Sequence, residues 1–194
     1  MSMLAGLADP VLDSQRIFRE VLDAMSHPGR IVAVDPPSQT PEPLWAATAS
    51  VCLALADLET PLWLDSTARQ QSVIDYLRFH CGSPIISEPH AARFGVIANP
   101  RRMPALEAFE LGSDEYPDRS ATVIIQVESL EVGSGTRLAG PGIADEALIE
   151  ARGLPDGFWN AVRANHALFP RGVDLILAAR DTIVGLPRST RVSG

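Results

Sequence analysis

The sequence predicts an α/β fold, a sandwich built on a mixed sheet that is parallel in part and antiparallel at its end. Two observations predict it. Helical and strand periodicities alternate through the first half of the chain, while the second half is rich in strands joined by short turns. A third observation bounds it. The chain has 194 residues, 46% of them hydrophobic, with no repeat, low-complexity tract or linker longer than a proline loop, so residues 1–194 read as one domain.

The elements follow in order. Ile17, Phe18, Val21, Leu22 and Met25 fall on one helical face, which predicts a helix over 13–25 with Asp13 or Ser14 as its cap and Pro28-Gly29 as its stop. Residues 30–34 are β-branched and predict a short strand, followed by a stiff loop carrying Pro36, Pro37, Pro41 and Pro43. Residues 44–58 are apolar on nearly every side, as in a helix buried all round. A buried strand is expected over 61–64, and a helix capped by Ser66 or Thr67 that runs to about His80. Strands are expected at 85–86 and 94–98, with a short helix over 104–111. Residues 122–127 are the strongest central-strand candidate, and 136–140 predict another strand, with Asp145-Glu146 in a solvated helical stretch. A helix over 156–167 turns Phe158, Trp159 and Val162 inward, and strands over 173–179 and 182–186 flank a turn at Arg180-Asp181.

Composition excludes several kinds of chemistry. All 16 basic residues are arginine. Without lysine the chain offers no amine for a pyridoxal phosphate Schiff base, no Walker A lysine and no lysine general base. A net charge of -8 argues against general nucleic-acid binding, which needs a basic stripe. The longest apolar run, 44–56, is too short to span a bilayer, and the first ten residues lack the pattern of a secretory signal. Cys52 and Cys81 have no metal-like spacing, and Cys81 beside His80 is two ligands short of a zinc site. A cytoplasmic protein with reduced thiols is expected, with no metal, no membrane contact and no nucleic acid.

Ser26-His27 invites a nucleophile–base reading. Adjacent residues at a helix end diverge by about 100°, however, and the sequence has no Gly-x-Ser-x-Gly elbow. Ser26 as a hydrogen-bonding group of the helix end is the simpler reading. His80, at a helix C-terminus, reads as a surface or capping residue, and His90 and His166 as surface residues. Gly140-Pro141-Gly142 is either a tight turn or a cradle of backbone N–H groups for an anion. Arg171 precedes a strand, and Arg188 and Arg191 enclose Ser189-Thr190, so guanidinium and hydroxyl groups are concentrated at the chain's end. Such a set grips a phosphate or carboxylate, or else decorates an ordinary edge strand.

Taken in order, several segments resemble a known family. They are Phe18-Arg19 with Ala24-Met25-Ser26-His27-Pro28-Gly29-Arg30, Leu55-Ala56-Asp57 with Thr60-Pro61-Leu62-Trp63-Leu64, and Leu77-Arg78-Phe79-His80. Gly140-Pro141-Gly142-Ile143, Phe169-Pro170-Arg171-Gly172-Val173-Asp174-Leu175-Ile176-Leu177 and Leu186-Pro187-Arg188-Ser189-Thr190-Arg191-Val192 follow. The ordered set, spanning almost the whole chain, resembles PhnH, a subunit family of the bacterial carbon–phosphorus lyase system. Ser189 stands where the family pattern leads one to expect threonine, and the hydroxyl is retained.

The resemblance implies a three-layer αβα sandwich with a mixed sheet, like the large domain of pyridoxal phosphate-dependent transferases but without that cofactor. It implies a cytoplasmic homodimer that assembles with PhnG-, PhnI-, PhnJ- and PhnL-type subunits. The assembly displaces adenine from ATP with a phosphonate to give ribose 1-phosphonate 5-triphosphate. The nucleosidase chemistry is expected on PhnI and the radical iron–sulfur chemistry on PhnJ, so this subunit is expected to have no activity alone. Arg188, Thr190, Arg171, Arg19 and His80 are the candidate ligand residues. Met25, Ser26, Pro28, Gly29, Gly140, Gly142, Asp174 and Arg191 are the candidate structural positions.

The tail pattern sharpens one expectation. In a regular strand Arg188 and Thr190 share one face, and Ser189 and Arg191 the other; a turn after Pro187 lets the arginines converge. Arg188 with Thr190 is therefore expected at an anion site near a dimer interface, and Arg191 in a structural ion pair. Two rival readings are a free-standing hydrolase using Ser26, His80 and an aspartate, and a scaffold that only buries partner surface.

Overall fold

A computed structural model describes residues 4–193. The first helix, α1 (Pro10–Ser26), begins earlier than the apolar spacing predicts. Asp9 caps it by accepting from the amides of Val11 and Leu12, each at 3.0 Å, and Pro10 occupies the first turn. Asp13 lies inside the helix and accepts from the Asp9 amide at 2.9 Å. Beyond α1 come β1 (Val32–Ala33), α2 (Ala46–Leu55) and β2 (Leu62–Leu64). The predicted burial of α2 is observed: Ala47 through Cys52 are all buried.

The next helix, α3 (Gln71–Cys81), starts behind Gln70 and not at Ser66 or Thr67, and has no side-chain cap. Asp65 is the reason. Its carboxylate accepts from the Ala68 amide at 2.7 Å and the Asn99 amide at 2.9 Å, so the polar cluster forms a turn before the helix can begin. Strands β3 (Ile85–Ile86) and β4 (Phe94–Ile97) follow as expected. The helix expected over 104–111 is only a single 3₁₀ turn, Leu106–Ala108. Leu106 and Phe109, three apart and both buried, satisfy that one turn.

Strand β5 (Thr122–Gln126) is central, as predicted. The following region differs from expectation. β6 (Ser129–Ala139) is much longer than 136–140, and the stretch read as helical contains β7 (Ala147–Arg152). Asp145 and Glu146 lie in the turn before β7, where Glu146 pairs with Arg137 at 2.8 Å. Only Ile149 of β7 is buried, so the strand carries too little period-2 patterning to announce itself. The chain finishes with α4 (Phe158–Ala167), β8 (Asp174–Ala179), β9 (Thr182–Leu186) and β10 (Arg191–Ser193).

Seven strands form the main sheet in the order β1-β9-β8-β5-β4-β2-β3. β3, β2, β4, β5 and β8 run parallel, and β9 and β1 continue antiparallel at one edge. Alternation along the strands divides the core in two. Leu62, Leu64, Val96, Ile124 and Ile176 pack with Ile17, Val21 and Ala24 of α1 and with buried residues of α2 and α3. On the other face Val123, Ile125, Leu175 and Leu177 pack with Phe158 and Val162 of α4 and with Leu138 and Ile149. Leu138 and Ile149 belong to the second sheet, order β10-β6-β7, so that face is covered by one helix and an antiparallel sheet together. This is where the fold departs from helices in both outer layers. Among the described residues no helix is long and apolar enough to cross a membrane, and no cluster of His, Cys, Asp and Glu is arranged to hold a metal.

Candidate functional site

Three of the sequence motifs meet although they are far apart in the chain. β10 pairs with β6, aligning Arg191 with Ala139 and Val192 with Leu138, which lays the tail beside Gly140-Pro141-Gly142. The same glycine loop closes on the end of α1. Gly142 has φ +82°, and a side chain there would strike the Ser26 carbonyl and lie 3.0 Å from Pro28 Cδ. Only glycine allows the backbone both that conformation and that approach. Gly29, φ +85°, faces Ala147 in the same way, at 2.9 Å from an added Cβ. Met25 packs against the core on the helical side, and Ser26 Oγ donates to the Leu22 carbonyl at 2.7 Å.

Beside this junction lies an open cleft of about 540 Å³. Ala139 to Pro141, Ile143, Ala144 and Asp145 form one wall; His166 and Phe169 come from α4 and the loop after it, and Ser189 and Arg191 from the tail. A turn does form after Pro187, with the Thr190 amide donating to the Pro187 carbonyl at 2.8 Å. It separates the two arginines. Arg188 points back to β8, where Nε and NH2 donate to the Asp174 carboxylate at 3.2 and 2.7 Å, and NH1 donates to the Pro117 carbonyl. The Arg188 amide also donates to Asp174, at 2.8 Å. This guanidinium is therefore committed to a bidentate pair, with side chains only 16% and 19% exposed. Arg191 is exposed on the cleft wall and has no ion-pair partner among the described residues. Thr190 is buried, 1% exposed, and its hydroxyl has no hydrogen-bond partner among the described residues.

The remaining candidates are dispersed. Arg171 is exposed, with Nε 3.4 Å from Asp114. Arg19 is exposed on α1. His80 is tied to the N-terminal segment, its Nε2 2.9 Å from the Leu4 carbonyl and its ring edge-on to Tyr76 and Phe79. Ser26 is thus engaged with its own helix and His80 with a carbonyl remote in sequence, and the two do not form a nucleophile–base pair among the described residues. Against the expected divergence, Ser26 Oγ does come within 3.2 Å of His27 Nδ1, but that same nitrogen also lies 3.1 Å from the Asp23 carboxylate.

Two residues that carried no functional signal in the sequence shape the site. His166 Nδ1 lies 3.0 Å from the Arg188 carbonyl, which ties α4 to the tail turn. Asn165 is buried and bonds Val173 twice, donating to its carbonyl and accepting from its amide, both at 2.9 Å. Adjacent residues on α4 therefore hold both chain segments that lead into the cleft. Their signal was only helical position near Phe169-Pro170, which identifies a helix end and nothing more.

Elsewhere, burial raises both thiols. Cys52 lies well above the ordinary thiol range, and Cys81 is pushed up to about 12 by burial and by the nearby Asp57. Burial thus disfavours the thiolate, the form of a cysteine that attacks and that binds metal.

Residues 5–193 match the family described as bacterial phosphonate metabolism protein, PhnH. Over 187 residues the chain is 38% identical to the alpha-D-ribose 1-methylphosphonate 5-triphosphate synthase subunit PhnH of Rhizobium meliloti, covering 96% of this chain and 94% of that one. It is 36% identical over 182 residues to HtxG of Stutzerimonas stutzeri, named as a candidate C-P lyase subunit, covering 92% of this chain and 85% of the relative.

Proposed function

Since this chain belongs to the PhnH family of bacterial phosphonate metabolism proteins, we propose that it is the corresponding subunit of a multi-subunit alpha-D-ribose 1-methylphosphonate 5-triphosphate synthase, and that its cleft holds an anionic ligand. The observation that carries the site is the convergence of the glycine loop, the end of α4 and the tail around one cleft with an exposed arginine on its wall, beside the point where the glycine loop meets the end of α1. Arg191, not Arg188, is the cation this reading assigns to the ligand. Arg188 is spent on Asp174 and Pro117, and Thr190 supports the turn between them. The synthase's product carries a triphosphate and a phosphonate, so a fixed guanidinium with nearby hydroxyl and backbone donors is chemistry suited to it.

The wider reading comprises a single domain, a cytoplasmic homodimer, and PhnG-, PhnI-, PhnJ- and PhnL-type partners acting on ATP and a phosphonate. It also includes likeness to the large domain of pyridoxal phosphate-dependent transferases, which the partly parallel seven-stranded sheet supports. The chain has no lysine to anchor that cofactor.

The test is a reconstituted complex in which Arg191→Ala is compared with wild type for phosphonate-dependent adenine release. Losing one charge-assisted contact of about 1.5–3 kcal/mol predicts a fall of roughly tenfold to a hundredfold. Full activity in Arg191→Ala removes the anion site and favours a scaffold that only buries partner surface.

A further inference from the structure

The cleft wall supplied by α4 holds a side chain that no motif accounts for. His166 Nδ1 is 3.0 Å from the Arg188 carbonyl. A carbonyl oxygen only accepts, so Nδ1 carries the ring proton, and in the neutral ring Nε2 is left with a lone pair. That carbonyl is itself braced. Asp174 accepts from the Arg188 amide at 2.8 Å and from its guanidinium at 3.2 and 2.7 Å, while the Thr190 amide closes the turn onto Pro187 at 2.8 Å. The aspartate acts on the histidine through the backbone that both grip, as outer partners orient a metal-binding or catalytic imidazole.

The polar groups around the cleft are of two kinds. Of the lining side chains, Arg191 can only donate, Ser189 can do either, and Asp145 as a carboxylate and the Nε2 of an Nδ1–H His166 can accept. A bare oxyanion offers acceptors alone. It satisfies Arg191 but leaves the carboxylate and the imidazole lone pair facing other acceptors. A sugar that carries a phosphoryl or phosphonyl group offers both the anion and hydroxyl donors.

We propose that His166 contacts the ligand in this cleft by accepting a hydrogen bond from a sugar hydroxyl, with Asp174, acting through Arg188, as its positioning residue. The ligand class is then a phosphorylated or phosphonylated sugar, not a free inorganic oxyanion. The proposal rests on the reading of the cleft as an anion site.

The experiment uses the full chain, with ribose 5-phosphate and inorganic phosphate as probes, titrated calorimetrically at equal ionic strength. Wild type is expected to prefer ribose 5-phosphate by about tenfold, the worth of one well-made hydrogen bond to a buried or half-buried partner. His166→Asn places an amide nitrogen near the position of Nδ1, which keeps the bond to the Arg188 carbonyl and deletes Nε2. It should melt like wild type and lose the preference. His166→Gln, which reaches the Nε2 position, should recover part of it. Nitrogen-detected NMR at mildly alkaline pH should show His166 as the Nδ1–H tautomer in wild type and a mixture of tautomers in Asp174→Asn.

Equal binding of the two probes by wild type overturns the sugar class while leaving the anion reading in place. An Nε2–H tautomer in wild type, or an unchanged preference in His166→Asn, overturns the role of His166. An unaltered tautomer in folded Asp174→Asn overturns the positioning role. Binding of neither probe removes the anion cleft itself.

Discussion

Arg188 and Arg191 are three residues apart and do different work. Pro187 starts a turn, so the alternation that a regular strand would impose is broken. Arg188 swings to Asp174, and Arg191 begins β10 on the cleft side. Arg188→Ala leaves a half-buried carboxylate without its partner and should lower stability by about 2–4 kcal/mol, read from urea unfolding. Arg188→Lys should rescue little of this, because one ammonium cannot reproduce a bidentate pair and reach the Pro117 carbonyl as well. Arg191→Ala should leave the unfolding midpoint unchanged, which separates a structural from a ligand-facing cation.

The thiols give a second prediction at the same scale. Burial holds Cys52 and Cys81 protonated, Cys81 at about 12, so neither should react with iodoacetamide in the native protein at pH 8. Both should react after unfolding in urea. Glu20 gives a third. Its carboxyl lies above the usual range, chiefly through burial and despite the Asp35 amide. The folded state therefore binds its proton more tightly than the unfolded chain. Its contribution is present below the ordinary glutamate pKa and is lost as pH rises through the higher folded value. Glu20→Gln should flatten the decline in stability over that window, measured by unfolding at stepped pH.

Among the elements, glycine positions fix how loops can meet. Gly142→Ala would drive a methyl group into the Ser26 carbonyl at a residue that already needs positive φ. A loss of about 2–4 kcal/mol is expected, with cleft binding impaired as well, while Gly133→Ala, whose added carbon meets nothing, should cost only the smaller strain of its φ. The elements also show where patterning is legible. α2 announced its burial because every side is apolar, and β5 because it is covered on both faces. β7 was hidden because Ile149 is its only buried residue and its core-facing neighbours are the small, half-buried Ala147 and Ala151, and the middle of β6 because its residues are exposed and interrupted by Gly133 and Gly135. The start of α3 was displaced by hydrogen bonds to Asp65, one of them from Asn99, a residue remote in sequence.

At the scale of the whole molecule, the proposed role as a synthase subunit predicts that the chain functions inside a larger assembly. Deletion of its gene should abolish growth on methylphosphonate as sole phosphorus source and spare growth on phosphate, in a host with no second route. The chain should co-purify with the other synthase subunits, and light scattering at micromolar concentration should give the mass of a dimer. The sequence by itself determined the alternating α/β plan, the mixed sheet and the family, because these depend on local periodicity and on short motifs kept in order. It also determined that fixed positive charge comes only from arginine. Tertiary structure alone decided that the second face is shared by α4 and a small sheet, which arginine of the tail faces the cleft, and that His166 belongs to it. Those outcomes depend on hydrogen bonds between segments distant in the chain, from Arg188 to Asp174 and from His166 to the Arg188 carbonyl, and no local pattern encodes such a partner.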